Sequence, residues 1–188
     1  MSADRPPILR DAGEQDAAAI AEIYNQSIAA GDATMDGVDK TAQDIRSWLA
    51  AFSKRETILV FEQPPDSTSG RSGEIVGWGI IKRYSDRYGY RFACETAVYL
   101  HRDQVGRGLG TRMKNALIDR CKLYGYHHLV AKIFADNEAS IGYNLRLGYE
   151  KVGIQREIGW KNGQWKDVVI LQLILDDVAP EIPAELND

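Results

Sequence analysis

The sequence has little of what several classes of protein require. It contains two cysteines and three histidines in 188 residues, so neither a disulfide framework nor a metal site built on Cys and His is expected. No apolar run approaches the roughly 20 residues of a membrane-spanning helix. Charged residues near the start (Asp4, Arg5 and Arg10) leave no stretch for a secretory signal. We therefore expect a cytoplasmic protein that holds no metal.

Positive charge is also scarce. The chain has 23 Lys and Arg against 27 Asp and Glu, a formal net charge of -4, which offers no general attraction to nucleic acid or to anionic membranes. Its hydrophobic content of 44% is enough to bury one core, and its length favours one domain. The composition thus predicts a single globular domain whose partner is neither a nucleic acid nor a membrane.

Hydrophobic periodicity divides the chain into strands and helices. Strands are predicted at 8–10, 57–62, 74–82, 91–100, 128–135, 149–160 and 165–175. Helices are predicted after the capping pairs Asp11/Glu14 and Thr41/Asp44, after the glycine-rich segment 104–110, and over 137–148. This order indicates an α/β fold with a mixed sheet flanked by helices. We expect one domain over 8–175, with tails at 1–7 and 176–188, the second acidic and loose.

The glycine-rich segment, QVGRGLG at 104–110, separates a predicted strand from a predicted helix. Glycine costs about 1 kcal/mol in a regular element, so three glycines in five residues need a reason. Backbone N–H groups at such a junction converge beside the positive end of the helix dipole and can bind phosphate. A merely flexible turn is the alternative. A Walker loop is absent, and Thr111 and Met113 stand where the dinucleotide fingerprint requires glycine.

Four motifs, in order along the chain, resemble those of one family. VGRGLG resembles the Arg/Gln-x-x-Gly-x-Gly/Ala pyrophosphate loop of the GNAT N-acetyltransferases, with Val105 where Arg or Gln is usual. ETAVYL, NEASIGYNLRLGY and KNGQWKDVVILQ are similar to the glutamate-bearing strand, the Asn-x-x-Ser helix and the final hairpin of phosphinothricin acetyltransferases. The resemblance extends from Ile8 to Leu175. It implies the GNAT fold, the use of acetyl-CoA as co-substrate, and a homodimer.

The resemblance places the general base of the reaction at Glu95. A charged side chain in the middle of a strand, between Ala93 and Ala97, is otherwise costly. Acetyl transfer to an amine requires that the nitrogen lose a proton, which a carboxylate beside the acceptor can take. The structural alternative is a glutamate paired with a basic neighbour such as Arg91.

The resemblance also implies which residues contact acetyl-CoA. A backbone N–H near Val98 is expected to stabilise the oxyanion, and the amides of 105–111 to hold the pyrophosphate. Arg107 or Arg112 is expected near the adenosine phosphates, or else as a solvated helix charge. The residues expected to contact acetyl-CoA are Val98, Tyr99, Leu100, Val105, Gly106, Arg107, Gly108, Leu109, Gly110, Thr111, Asn137 and Ser140. Asn144 stands where relatives often have His or Tyr, so the general acid is left unassigned.

A basic and aromatic segment between residues 82 and 91 is the candidate acceptor site. Such a cluster could clamp a carboxylate, and a solvated hairpin turn explains it almost equally well. By resemblance, Arg87, Tyr90 and Met35 are expected to contact the acceptor, whereas Ser85 replaces a basic residue of the family. The acceptor class is therefore a small, amino-acid-like amine. The alternatives are a protein N-terminal or lysine acetyltransferase and a non-catalytic acyl-CoA sensor.

Overall fold

The computed structural model describes residues 6–64 and 73–187. Its strands are β1 (Ile8–Asp11), β2 (Thr57–Gln63), β3 (Glu74–Arg83), β4 (Ala93–Leu100), β5 (His128–Phe134), β6 (Glu150–Lys161) and β7 (Gln164–Ile174). Its α-helices are α1 (Ala17–Ala30), α2 (Ala42–Ala51), α3 (Leu109–Leu123) and α4 (Glu138–Arg146). The predicted succession of strands and helices is confirmed. Most of the predicted loop between β2 and β3 lies outside the described residues.

The seven strands form one sheet in the order β1-β2-β3-β4-β5-β7-β6. Every neighbouring pair is antiparallel except β4 and β5, which are parallel. The hairpin between β6 and β7 turns at Asn162 and Gly163, both with positive φ, as the Asn-Gly signal predicts. The mixed, mostly antiparallel sheet predicted from the sequence is therefore confirmed.

One predicted helix start is confirmed and another is wrong. Thr41 and Asp44 form the expected capping box at α2. Asp11 instead ends β1, where it pairs with Leu59, and its carboxylate accepts hydrogen bonds from Arg120. Helix α1 begins six residues later, at Ala17. Strand pairing and a distant arginine therefore overrode the local capping signal.

Two hydrophobic cores lie on opposite faces of the sheet. Helices α1 and α2 cover one face together with Trp78 and Ile80, and α3 covers the other together with Cys94 and Leu129. The alternation of β4 is as predicted: Cys94, Thr96, Val98 and Leu100 share one face, and Ala93, Glu95, Ala97 and Tyr99 share the other. The residues of β4 thus reach both sides of the sheet at its centre.

The first residues of the acidic segment after Leu175 pack against the domain. Val178 packs on the core that α3 covers, and Asp177 pairs with Lys122 at 2.7 Å. The boundaries of the domain and its tails remain predictions. Within the described ranges, no helix has the length and apolar character to span a membrane.

Candidate active site

A fork between β4 and β5 is the centre of the candidate site. The two strands pair only over Ala93–Glu95 and His128–Val130, although both continue further. The Phe92 carbonyl, just before β4, accepts hydrogen bonds from the amides of His127 and His128 at the start of β5. Because backbone groups alternate along a strand, the even-numbered residues of β4 also turn their N–H and C=O groups toward β5. The Thr96 carbonyl and the Val98 amide therefore face the gap where pairing has ended. The role of the Val98 amide as oxyanion donor stays a prediction.

The glycine loop lies at the N-terminus of α3, beside β4. Gly106 and Gly108 have φ values of 84° and 77°, a conformation that side chains strongly disfavour. The amides of Gly108, Leu109 and Gly110 donate to no acceptor in the described part of the chain. A Cβ on Gly110 would lie 3.5 Å from the Tyr143 ring, so the loop packs close to α4. The loop can thus offer several free amides to an anion.

Helix α4 is capped by Asn137 and contains Ser140, two of the residues expected to contact acetyl-CoA. The Asn137 side chain accepts the Ser140 amide at 3.0 Å, and the Ser140 hydroxyl lies 3.4 Å from the Tyr143 hydroxyl. Asn144 is 1% exposed; its Nδ2 donates to the Ser140 carbonyl. Its Oδ1 accepts no hydrogen bond from any described residue. A buried acceptor without a donor is costly, so a donor supplied by a ligand would complete this part of the fork.

Glu95 lines a cleft that is bordered by residues of both strands of the fork. Its side chain is 36% exposed, and its Oε2 accepts a hydrogen bond from Lys132 on β5 at 2.7 Å. No described residue donates to the other carboxylate oxygen. Arg91, the basic neighbour considered from the sequence, stacks instead on Tyr88 and Phe92. The partner of Glu95 therefore comes from across the fork and not from its own strand.

A second lysine, Lys114 of α3, lies inside the fork. It is 1% exposed, and its Nζ donates to the Thr96 hydroxyl at 2.6 Å and to the Thr96 carbonyl at 3.3 Å. Burial lowers the pKa of Lys114 to about 8. Sequence reasoning missed both lysines. The available signals were a lysine inside the apolar strand HLVAKIFA and a lysine on the inward stripe of α3, between Gly110 and Leu117.

Two of the three predicted acceptor residues line the cleft. Met35 lies over Gly159 of β6, and Tyr90 packs against Tyr84 with ring centroids 5.6 Å apart; Met35, Tyr84 and Tyr90 all border the cleft. Arg87 is exposed and does not border it. The geometry therefore supports Met35 and Tyr90 and lends no support to Arg87, which stays a prediction.

Several predicted acetyl-CoA residues serve the core as well. Val98 and Leu100 pack on the core that α3 covers, while the Tyr99 ring stacks 4.5 Å from Trp78. Burial raises the pKa of Tyr99, so its hydroxyl stays protonated. Val98 and Tyr99 border the cleft, but both side chains are held in the core, so contacts of 98–100 with a ligand would come chiefly from the backbone.

The two arginines considered for the adenosine phosphates differ in their surroundings. Arg112 donates to the Pro7 carbonyl at 3.3 Å and lies over the Phe61 ring, whereas Arg107 donates to Gln104 at 2.8 Å beside the glycine loop. Val105 and Thr111 flank the loop, and Val105 is exposed. Arg107 is therefore the better placed of the two for a phosphate at the loop.

The mixed sheet, the parallel fork at its centre and the glycine loop beside it define an acyltransferase-like α/β protein, as the sequence motifs predict. Residues 9–170 match the family model of the GNAT acetyltransferase domain. The chain belongs to the GNAT acetyltransferase family.

The relatives extend the comparison. An L-methionine sulfoximine/L-methionine sulfone acetyltransferase of Pseudomonas paraeruginosa is 34% identical over 169 residues, which are 89% of this chain and 94% of the relative. The structure of a phosphinothricin acetyltransferase of Sinorhizobium meliloti in complex with AcCoA is similar with a TM-score of 0.83 at 27% identity, covering 95% of this chain and 94% of that one. A ribosomal-protein-alanine N-acetyltransferase of Brucella melitensis gives 0.79 at 28% identity, covering 89% and 97%.

Proposed function

We propose that this protein transfers the acetyl group of acetyl-CoA to the amino group of a small, amino-acid-like acceptor. The observation that carries the proposal is the meeting, at one fork, of a free-amide loop and a carboxylate. The loop amides of Gly108, Leu109 and Gly110 have no acceptor among described residues, which suits a pyrophosphate. Glu95 borders the cleft on the other side of the sheet. Acyl donor and amine would thus approach the fork from opposite sides.

The residues present suit acetyl-CoA. The orphaned Oδ1 of Asn144 could accept an N–H of the pantetheine arm, and Asn137 and Ser140 border the same cleft. The Val98 amide faces the fork, where a thioester carbonyl would enter, so it is the proposed oxyanion donor. When bound, acetyl-CoA supplies the activated acetyl group; the protein aligns it with the amine and excludes water.

Glu95 is the proposed general base. Lys132 occupies Oε2 at 2.7 Å, which fixes the carboxylate and leaves Oε1 able to accept the proton of an incoming amine. Lys82 is the register partner of Glu95 on β3 and also borders the cleft. Two ammonium groups beside the base suit an acceptor that carries its own carboxylate. This charge pattern favours an amino acid over a simple amine.

The test is release of free coenzyme A in the presence of a panel of acceptors. The panel contains methionine sulfone, methionine sulfoximine, phosphinothricin, their decarboxylated analogues and a short peptide with N-terminal alanine. Release with the intact amino acids and not with the decarboxylated ones supports the proposal. Turnover of the peptide alone would favour a protein acetyltransferase. Binding of acetyl-CoA without turnover of any acceptor would favour a sensor.

We also propose a cytoplasmic homodimer. The edge strand β6 and the adjoining β7 expose a strip of large apolar side chains, of which Val152 and Ile158 border the cleft. Each member of the strip is between 47% and 60% exposed: Val152, Ile154, Ile158, Trp160 and Trp165. Such a strip is unusual on a monomer, and pairing of two copies would cover it. Measurement of the mass in solution by light scattering tests the dimer, and Trp160→Glu should yield the monomer.

A further inference from the structure

Lys114 is buried in the fork and forms no ion pair with a carboxylate of the described residues. Its ammonium has three N–H bonds, and among the described residues its acceptors are the hydroxyl and the carbonyl of a single residue, Thr96. Its other close neighbour is the Tyr149 ring, whose centroid lies 4.8 Å away. A lysine in the interior usually requires an opposite charge. Hydrogen bonding to one threonine is therefore an incomplete account of why a cation occupies this position.

The position itself is informative. Thr96 is the first residue of β4 beyond its pairing with β5, and its carbonyl faces the gap that β5 has left. Lys114 therefore places its Nζ at the apex of the fork, two residues along β4 from the Val98 amide. Lys114 and Thr96 both border the cleft. In acyl transfer at this fork, negative charge develops first on the carbonyl oxygen and then on the departing sulfur.

The departing thiolate needs a proton, and few groups at the apex can supply one. Asn144 carries no titratable proton. Burial raises the pKa of Tyr143 and of Tyr149, which makes both phenols poorer acids. Burial makes the Lys114 ammonium a stronger acid, because it lowers the pKa of that group to about 8. This value is close to the pKa of an ordinary thiol, about 8.5. Matched pKa values favour proton transfer.

We propose that Lys114 donates the proton to the coenzyme A sulfur as the thioester breaks; this assignment rests on the proposed acetyl transfer. The C–S bond breaks, its electron pair goes to sulfur, and a proton from Nζ joins that sulfur. Lys114 is left as a neutral amine and recovers a proton from water. The acceptor nitrogen meanwhile releases its protons to Glu95 and to solvent, so the reaction balances.

Other ionisable groups face Lys114, and their titration must be distinguished from that of Lys114. They are Cys94 and Glu95 on β4, Cys121 on α3, and Tyr149 before β6. Burial and the neighbouring Cys121 raise the pKa of Cys94, so this thiol stays neutral while Lys114 titrates. Lys114→Met removes the ammonium and leaves all of these groups in place; the exposed Lys151→Met is the matched control.

The deciding measurement is the ultraviolet absorbance of the thiolate of bound coenzyme A, titrated with pH and corrected with desulfo-coenzyme A. An ammonium beside the sulfur stabilises the thiolate. We expect the thiol of coenzyme A bound to the natural protein or to Lys151→Met to ionise at least tenfold more readily than in Lys114→Met. Lys114→Gln gives a second comparison if the methionine variant folds poorly. Equal ionisation in the natural protein and the Lys114 variants overturns the proposal.

Kinetics supply a second readout. In the natural protein, kcat should fall as pH rises through about 8, where Lys114 loses its proton. Lys114→Met should lower kcat roughly 10²-fold at neutral pH, keep KM for acetyl-CoA within about twofold, and lose this alkaline decline. A variant that keeps full kcat also overturns the proposal. Failure of coenzyme A to bind to the natural protein would instead refute the proposed function, and the role of Lys114 with it.

Discussion

Replacing Lys114 with methionine should change how the stability of the protein depends on pH. Burial lowers the pKa of Lys114 from 10.5 to about 8. Between these values the unfolded chain binds a proton that the folded chain does not, so stability rises with pH across this window. Below pH 8 both states are protonated and the folded state carries the full cost of the buried ammonium. A gap of about 2.5 pH units corresponds to about 3 kcal/mol.

Urea unfolding of the natural protein and of Lys114→Met between pH 7 and pH 10 isolates this contribution. The free energy of unfolding of the natural protein, relative to the variant, should increase by about 2.5 kcal/mol over this range. Subtraction cancels the other titrating groups that the two proteins share. Lys151→Met should track the natural protein throughout. A difference that stays flat with pH would refute the reasoning, since an ammonium accessible to water has no reason to titrate early.

The remaining predictions concern the loop, the base and the acceptor. Acetyl-CoA at a hundredfold excess over its Kd should raise the free energy of unfolding by ~2.7 kcal/mol. Gly108→Glu should abolish this stabilisation, because its carboxylate would repel the phosphates; stabilisation retained in the variant would mean that the loop is an ordinary turn. Glu95→Gln should lower turnover about 10²–10⁴-fold near neutral pH, less at high pH, where more acceptor arrives deprotonated; full activity at pH 7 removes Glu95 as base. Lys82→Ala removes one of the two ammonium groups beside Glu95, so it should raise KM for amino-acid acceptors only, and an unchanged KM removes Lys82 from the acceptor site.

Motifs that depend on local backbone conformation could be predicted from the sequence. Glycine is needed where φ is positive, so Gly106 and Gly108 mark their loop. The Thr41 capping box and the Asn137 cap act over three residues, and strand alternation assigns the faces of β4 without knowledge of its neighbours. The Asp11 prediction failed because the partners of that residue, Leu59 and Arg120, are distant in sequence.

The electrostatic environment of the site was decided only by the tertiary structure. Lys132 reaches Glu95 because β5 runs parallel to β4 and its side chain crosses the fork, whereas the sequence neighbour Arg91 turns away to stack on aromatic rings. The sequence reveals the inward face of α3, where Lys114 lies four residues after Gly110. The contact of Lys114 with Thr96, however, depends on how α3 packs on the sheet. The sequence determined the order of strands and helices and the position of the glycine-rich loop, because both depend on local rules. Which charges meet at the fork depends on long-range packing, and local patterns carry no information about it.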